Sequence, residues 1–231
     1  MVQSWNWAGV YWALRSVAMQ RGLVVPHFRV PDIRSINWAA LKARGCRGVV
    51  FDKDNTLTAP YAPSVFPTLA DALRQCLDVF GRDGLVVFSN SAGSGDDAGY
   101  EEAHRIERTL GLPVLRHAHK KPLGFDSVMQ HFAALSSPSS SPSTTVTAPS
   151  QLAMVGDRYF TDILFGNLHG MLTVHTSLLT STGDPAVVKA IRNWEEDYVL
   201  WLMKQGVRPP AHPLYDESIL HGSVPPEPQG Q

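Results

Sequence analysis

Gly48-Val-Val-Phe-Asp52-Lys53-Asp54-Asn55-Thr56 is the stretch of sequence that decides the fold. Its β-branched and aromatic start is typical of a strand that is buried on both faces of a parallel sheet. The run ends in two carboxylates, Asp52 and Asp54, which stand two residues apart. Carboxylates directly after a buried strand are costly unless a cation or a proton compensates them. The stretch therefore predicts an α/β fold with a charged site at the end of a core strand.

Segments typical of strands and of helices alternate through the rest of the chain. Strands are predicted at 85–88, 113–115, 152–155 and 171–175. Helices are predicted at 68–80, 98–110, 124–135 and 161–168, and a long helix runs from a cap at Asp184 to Gly206. This alternation predicts a doubly wound parallel sheet.

Polar side chains follow four of these strands. In chain order they are Asp52 and Asp54, Ser89 and Asn90, Lys120 and Lys121, and Asp157 with Asp162. Each one alone has a plainer explanation as a helix cap, a turn residue or a solvated charge. Together they arrive at the carboxyl ends of the strands, where open α/β sheets bind their ligands.

This ordered set resembles the motifs of the haloacid dehalogenase superfamily of phosphohydrolases, over about residues 48–180. The stretch 52–56 matches the motif Asp-x-Asp-x-Thr, and Ser89 matches the strand-end hydroxyl. Lys121 stands directly before a proline, like the family lysine, with Lys120 as the alternative. Gly156-Asp157 with Asp162 is similar to Gly-Asp-x-x-x-x-Asp. The resemblance implies a Rossmann-like core.

The resemblance also implies a role for each residue. Asp52 would attack phosphorus to form an aspartyl-phosphate, and Asp54 would serve as general acid and then as general base. Lys121 would offset the charge on the phosphoryl group, whose oxygens Ser89, Asn90 and neighbouring N–H groups would hold. The implied cofactor is Mg²⁺, held by Asp52, the backbone carbonyl of Asp54 and Asp157, with Asp162 supporting its water shell.

Within the superfamily, the chain is similar to the mitochondrial phosphatidylglycerophosphate phosphatase branch. The similarity rests on 49–57, Lys121-Pro122, 156–162 and Leu23-Val-Val-Pro26. It implies a peripheral enzyme on the matrix side of the inner membrane, which hydrolyses phosphatidylglycerophosphate to phosphatidylglycerol for cardiolipin synthesis. Lys53 and Arg158 would grip the second phosphate, or be a solvated charge and a local salt bridge. The alternatives are a phosphatase for phosphoproteins or soluble phosphomonoesters, and a catalytically idle binding module.

The spacing of the motifs bears on the size of the substrate. The gaps 56–89 and 89–121 already hold a helix and a strand each, which leaves no room for a cap domain. An uncapped site suits a phosphate that is carried by something large. Nucleic acid is disfavoured, because 20 basic residues stand against 21 acidic ones and the net charge is −1.

The predicted organisation has three parts: 1–45, the core 46–206 with a Ser/Pro-rich insertion at 136–150 that we expect to be disordered, and a Pro-rich tail at 207–231. The first part has no acidic residue before Asp32. Its aromatic and basic residues include Trp5, Trp7, Tyr11, Trp12, Arg15, Arg21 and Arg29. Three interpretations stay open: a mitochondrial targeting segment, a helix docked on an anionic membrane, and a helix packed on the core. The sequence also leaves a homo-oligomer open.

Overall fold

Five parallel strands form one open sheet in the order β1-β5-β4-β2-β3. The computed structural model of the chain describes residues 20–135, 145–180, 186–216 and 219–220. The strands are β1 Phe28–Val30, β2 Gly48–Phe51, β3 Leu85–Val87, β4 Leu152–Gly156 and β5 Leu172–Thr176. The predicted α/β class with a parallel sheet is confirmed.

Helices connect the strands. The α-helices are α1 Trp38–Ala43, α2 Ala70–Phe80, α3 Glu101–Leu110, α4 Phe125–Ala134, α5 Leu164–Leu168 and α6 Ala186–Lys204. A π-helix, Tyr159–Ile163, precedes α5. Short 3₁₀-helices lie at Arg21–Val24, Ile33–Ser35, Pro67–Leu69, Arg82–Gly84, Ala98–Tyr100 and Pro149–Gln151. In the part of the chain that the structure describes, no helix has the length and apolarity needed to cross a membrane.

The sheet is covered on both faces, as the doubly wound prediction requires. Because successive side chains of a strand point to opposite faces, Val49 and Phe51 pack with the cores of α1, α2 and α3. Val50 lies in a second apolar cluster, which contains the inner faces of α4 and α5. Residues 56–121 hold only the 3₁₀ turns, α2, β3 and α3, so this stretch contains no cap domain.

The order of the strands creates a crevice beside β2. The chain passes from β2 to β3 on one side, whereas β4 lies on the other side. Phe51 pairs with Val155, and the backbone N–H of Asp52 donates to the carbonyl of Val155 at 2.9 Å. Such a switch point is where open α/β sheets bind ligands. The fold therefore brings Asp52 and Asp157 to neighbouring strand ends.

Two parts of the predicted organisation differ from the structure. The strand predicted at 113–115 is a single bridge, in which Val114 pairs with Val87. The prediction also missed β1, which pairs with β5 although it belongs to the supposed separate segment 1–45. Three residues with a central arginine give too short an apolar run to indicate a strand. The chain therefore enters the sheet before residue 45.

Described residues of the Pro-rich tail pack against the core, without forming a helix or a strand. Leu214 and Ile219 are buried in the main core, and Leu220 forms a bridge with Ile36.

The described end of the Ser/Pro-rich insertion is ordered, contrary to the expectation, because Val146 is buried in the second apolar cluster and Pro149–Gln151 is a 3₁₀-helix. Three further predictions lie outside the described residues: the aromatic start at 1–19, the part of the insertion at 136–144 and the Asp184 cap at 181–185.

Candidate active site

A buried ammonium group joins two carboxylates at the carboxyl edge of the sheet. The Nζ of Lys121 lies 2.7 Å from Oδ1 of Asp52 and 2.5 Å from Oδ1 of Asp162. Burial opposes the charge of Lys121, but Asp162 and Asp52 raise its pKa above the ordinary value, so the ammonium stays protonated. Lys120 instead pairs with Asp96 at 2.7 Å, at the surface. Of the two lysines left open by the sequence, Lys121 is therefore the one in the site.

Asp157 comes from the end of β4 and is paired with an arginine that the sequence analysis missed. Its Oδ2 accepts a hydrogen bond from the guanidinium of Arg192, which lies on α6. Burial raises the pKa of Asp157, Arg192 opposes this shift, and Asp52 and Asp162 add to it. No local motif marks Arg192, because it stands 35 residues after Asp157 in a helix with many charged residues.

A glycine and a π-turn position Asp162 beside Asp157. The backbone N–H of Arg158 donates to Oδ2 of Asp162 at 3.1 Å, and Asp162 lies on the π-helix that follows β4. A Cβ on Gly156 would lie only 2.5 Å from the Cβ and Cγ of Asp162. The close approach of the two residues explains why glycine must precede Asp157 in this motif. Single π-turns of this kind occur frequently at functional sites.

Asp52, Asp157 and Asp162 form what we call the carboxylate cluster. Each offers one oxygen atom, and the three oxygens lie within 4.8 Å of one another. Three oxygen ligands suit Mg²⁺, which prefers carboxylates and keeps several waters. Burial raises the pKa values of Asp157 and Asp162, and the neighbouring carboxylate of Asp52 adds to both shifts. The donor set therefore fits Mg²⁺, but it differs from the predicted one, in which the Asp54 carbonyl was a ligand and Asp162 only supported the water shell.

Asp54 lies outside this cluster, in what we call the acid–base loop, residues 53–62. Its Oδ1 accepts hydrogen bonds from the Nζ of Lys53 at 2.6 Å and from the backbone N–H of Tyr61 at 2.9 Å. Burial raises the pKa of Asp54, and the ammonium of Lys53 opposes this shift. The Asp54 side chain keeps 31% of its surface exposed, so it remains accessible to substrate and water.

Lys53 does not lie where the prediction placed it. The sequence left two interpretations of Lys53 open, a grip on a second phosphate and a solvated charge, but the side chain is only 1% exposed. Its Nζ donates to Asp54 and to the carbonyl of Ala62 at 3.0 Å. Lys53 therefore connects the beginning of the acid–base loop with its end. Sequence gives the position of a lysine, whereas the direction of its side chain depends on the loop.

Arg158 also has a different partner from the predicted phosphate. Its Nε and Nη2 donate to the two carboxylate oxygens of Glu195 at 3.1 and 2.7 Å. Glu195 is buried on α6, so this bidentate pair ties the loop after β4 to the helix that supplies Arg192. The local salt bridge, one of the two interpretations of Arg158, is the one that the structure contains.

Ser89 and Asn90 lie at the end of β3, against the loop that carries Lys121. The Ser89 hydroxyl oxygen faces the backbone N–H of Ser91 at 3.2 Å. Asn90, predicted to bind substrate, uses Oδ1 to accept a hydrogen bond from the backbone N–H of Lys121 at 2.8 Å. The buried ring of His117, which the prediction missed, lies with Nε2 2.8 Å from the carbonyl oxygen of Ser89. Asn90 and His117 therefore connect the two loops.

Comparisons with known proteins show which sequences this chain is similar to. The family model described as mitochondrial PGP phosphatase matches residues 9–178. Phosphatidylglycerophosphate phosphatase 1, chloroplastic, of Chlamydomonas reinhardtii is 46% identical over 98% of this chain and 80% of that protein. The chloroplastic/mitochondrial phosphatase 1 of Arabidopsis thaliana is 40% identical over 95% of this chain and 60% of that protein. The mitochondrial phosphatidylglycerophosphatase of Saccharomyces cerevisiae is 36% identical over 54% of this chain and 63% of that protein.

Proposed function

Since the chain belongs to the mitochondrial PGP phosphatase family and is a phosphoric monoester hydrolase, we propose that it removes the terminal phosphate of phosphatidylglycerophosphate. The product is phosphatidylglycerol, a precursor of cardiolipin. The observation that carries this proposal is the convergence of the carboxylate cluster and Lys121 at one strand edge. The names of the relatives supply the substrate, and the geometry supports the chemistry.

Asp52 is the nucleophile in this proposal. Its carboxylate attacks phosphorus, the bond to the glycerol oxygen breaks, and an aspartyl-phosphate forms. Lys121, 2.7 Å from the same carboxylate, balances the negative charge that gathers as two anions meet. Water then attacks the phosphorus and releases inorganic phosphate, which restores Asp52.

Asp54 supplies and then recovers the proton. In the first step its carboxylic acid protonates the departing oxygen, and in the second step its carboxylate takes a proton from water. The raised pKa of Asp54 favours the protonated form that the first step needs. Lys53 and the N–H of Tyr61 fix the orientation of this carboxyl group.

The carboxylate cluster would hold Mg²⁺. Arg192 orients Asp157, and Lys121 orients Asp162. When bound, the ion lowers the repulsion between Asp52 and the phosphate. The protein's own contribution is to bury and fix two members of the cluster. Asp157 and Asp162 are buried, and each is held by a charged or backbone donor.

The open approach to the site supports a phosphate carried by a lipid. Residues 56–121 contain no cap domain, so a headgroup at a membrane surface has access. We therefore propose a peripheral enzyme at an anionic membrane. The matrix side of the mitochondrial inner membrane is our proposed location, whereas two relatives have chloroplastic names. Fractionation of organelles from cells that express the tagged full-length chain distinguishes a mitochondrial from a chloroplastic location.

Phosphate release from a panel of substrates tests the proposal. The panel contains phosphatidylglycerophosphate, phosphatidic acid, a phosphopeptide and a soluble sugar phosphate, each with Mg²⁺ and with a chelator. We expect the highest kcat/KM for phosphatidylglycerophosphate, and only with Mg²⁺. A higher kcat/KM for the phosphopeptide or the sugar phosphate would favour the alternative phosphatases. The absence of turnover on every substrate would favour the idle binding module.

A further inference from the structure

One flank of α6 carries a row of apolar and aromatic side chains, of which four are exposed and one, Tyr198, is partly buried. The row, which we call the aromatic stripe, consists of Val187, Ile191, Trp194, Tyr198 and Trp201. Residues spaced by four and three positions share one helix face, and this row spans about 21 Å. Val187 is 68% exposed, Trp194 57% and Trp201 47%. Large apolar side chains that are contiguous and exposed indicate a binding surface, whereas scattered ones do not.

The aromatic stripe is ordered by stacking of its own rings. Trp194 stacks on Tyr198 with ring centroids 5.8 Å apart, and Tyr198 stacks on Trp201 at 6.0 Å. The opposite flank of α6 is anchored by Val199 and Leu202, which are fully buried. The helix therefore presents rigid indole and phenol rings while its other side belongs to the core.

The aromatic stripe begins at the candidate active site. Trp194 stacks on Phe160 at 5.5 Å, and Phe160 lies in the π-helix that carries Asp162. Ile191 immediately precedes Arg192, whose guanidinium binds Asp157. A surface that docks on this row therefore meets the edge of the carboxylate cluster.

Basic residues border the far end of the aromatic stripe. Lys204, Arg208 and Arg21 are exposed there, and a Cβ on Gly22 would meet the Arg208 carbonyl at 2.5 Å, which places Arg21 close by. The sequence has no acidic residue from 198 to 215. Of the three acids of α6, Glu195 pairs with Arg158 and Glu196 with Arg29, and the exposed Asp197 lies one turn before Trp201. This end of the surface is therefore positive.

We propose that the aromatic stripe docks on the interface of an anionic phospholipid bilayer. Tryptophan and tyrosine prefer headgroup depth, because their rings are apolar and their N–H and O–H groups remain hydrated. The basic border adds attraction to anionic lipid. The proposal rests on the proposed function, since a lipid substrate keeps its acyl chains in the bilayer while its phosphate reaches Asp52.

Vesicle co-sedimentation of the full-length chain tests this surface. Trp194→Ser with Trp201→Ser removes the two exposed indoles, and the matched control is Leu135→Ser, a 38% exposed residue just past α4. On phosphatidylcholine vesicles with phosphatidylglycerol, we expect the double variant to bind about tenfold more weakly and the control to bind like the parent. Lys204→Gln with Arg208→Gln should weaken binding only to the anionic vesicles.

Other readouts separate this proposal from its competitors. We expect the double variant to keep its thermal midpoint, its molar mass in solution and its rate on a soluble phosphomonoester. Unchanged vesicle binding by the double variant would overturn the proposal, and so would a fall in molar mass, which would make the aromatic stripe a contact between copies. Loss of vesicle binding in an enzyme that ignores phosphatidylglycerophosphate would support the surface and refute the proposed substrate.

Discussion

The two buried lysines of the site, Lys121 and Lys53, differ in the groups that they bind. Lys121 belongs to the carboxylate cluster and binds two of its acids, which therefore stay together despite their repulsion. Lys53 belongs to the acid–base loop and binds one acid and a backbone carbonyl. In the proposed mechanism, Lys121 therefore holds the nucleophile Asp52 beside Asp162, whereas Lys53 adjusts Asp54, the group that moves a proton.

The largest effect is expected from the nucleophile. Asp52→Asn keeps the size of the side chain but removes its nucleophilic oxygen, so phosphate release should fall by about 10⁴-fold or more. The thermal midpoint should change little, because the amide still fills the site. Rates on phosphatidylglycerophosphate and circular dichroism melting measure both quantities. Retained turnover would contradict a covalent role for Asp52.

Replacement of Lys121 should reduce both activity and stability. Lys121→Met leaves Asp52 and Asp162 uncompensated in a buried site, so we expect a loss of about 3–5 kcal/mol in the free energy of unfolding. We also expect about 10³-fold slower phosphate release. Lys120→Met is the matched control, since the pair of Lys120 with Asp96 lies at the surface. Equal effects of the two variants would refute the assignment.

Arg192 should govern the acidic side of the pH profile. Asp157 must be ionised to act as a ligand, and Arg192 opposes the rise in its pKa. Arg192→Gln should therefore raise this pKa, so that activity is lost at a higher pH as the pH falls. We expect about 10–100-fold lower kcat/KM at neutral pH and partial recovery in alkali. Lys189→Gln, exposed on the same helix, should leave the profile unchanged.

Lys53 should determine the alkaline limb of the pH profile of activity. Asp54 must be protonated to donate to the leaving oxygen, so activity falls as the pH rises through its pKa. Lys53 opposes the upward shift of that pKa. Lys53→Met should move the alkaline limb to higher pH and lower kcat by about tenfold. An unmoved limb in full pH profiles would show that Lys53 does not adjust Asp54.

The smallest effect is expected at Arg158. Because Arg158 is held by Glu195, Arg158→Gln should lower kcat/KM only by a few-fold, and equally for phosphatidylglycerophosphate and phosphatidic acid. Phosphatidic acid lacks the second phosphate of the headgroup. A selective rise in KM for phosphatidylglycerophosphate would restore the phosphate-binding interpretation.

The sequence predicted the site residues that directly follow a strand and therefore lie at the edge of the sheet. Asp52 and Asp157 follow buried strands, and Lys121 precedes Pro122, so local pattern and motif order were enough to bring them together. Gly156 and Asp162 were also recognisable, because their close contact requires a fixed spacing.

The sequence did not predict partners that come from elsewhere in the fold. Arg192 and Glu195 lie on α6, and only tertiary packing brings them to Asp157 and Arg158. The exposed aromatic stripe was missed for the same reason, since a row of apolar residues on a helix ordinarily indicates a core face. Which flank of α6 stays uncovered depends on the packing of the whole domain.

Trapping of the phosphorylated enzyme is the most direct test of the central proposal, that Asp52 of the carboxylate cluster binds the phosphoryl group while Asp54 of the acid–base loop transfers protons. Asp54→Asn with p-nitrophenyl phosphate removes the base that completes turnover, while the good leaving group needs no acid. In the presence of Mg²⁺, we predict a mass increase of one phosphoryl group on the peptide that contains Asp52. The same increase should be absent in Asp52→Asn with Asp54→Asn. Release of p-nitrophenolate without a phosphorylated Asp52 peptide would contradict the account.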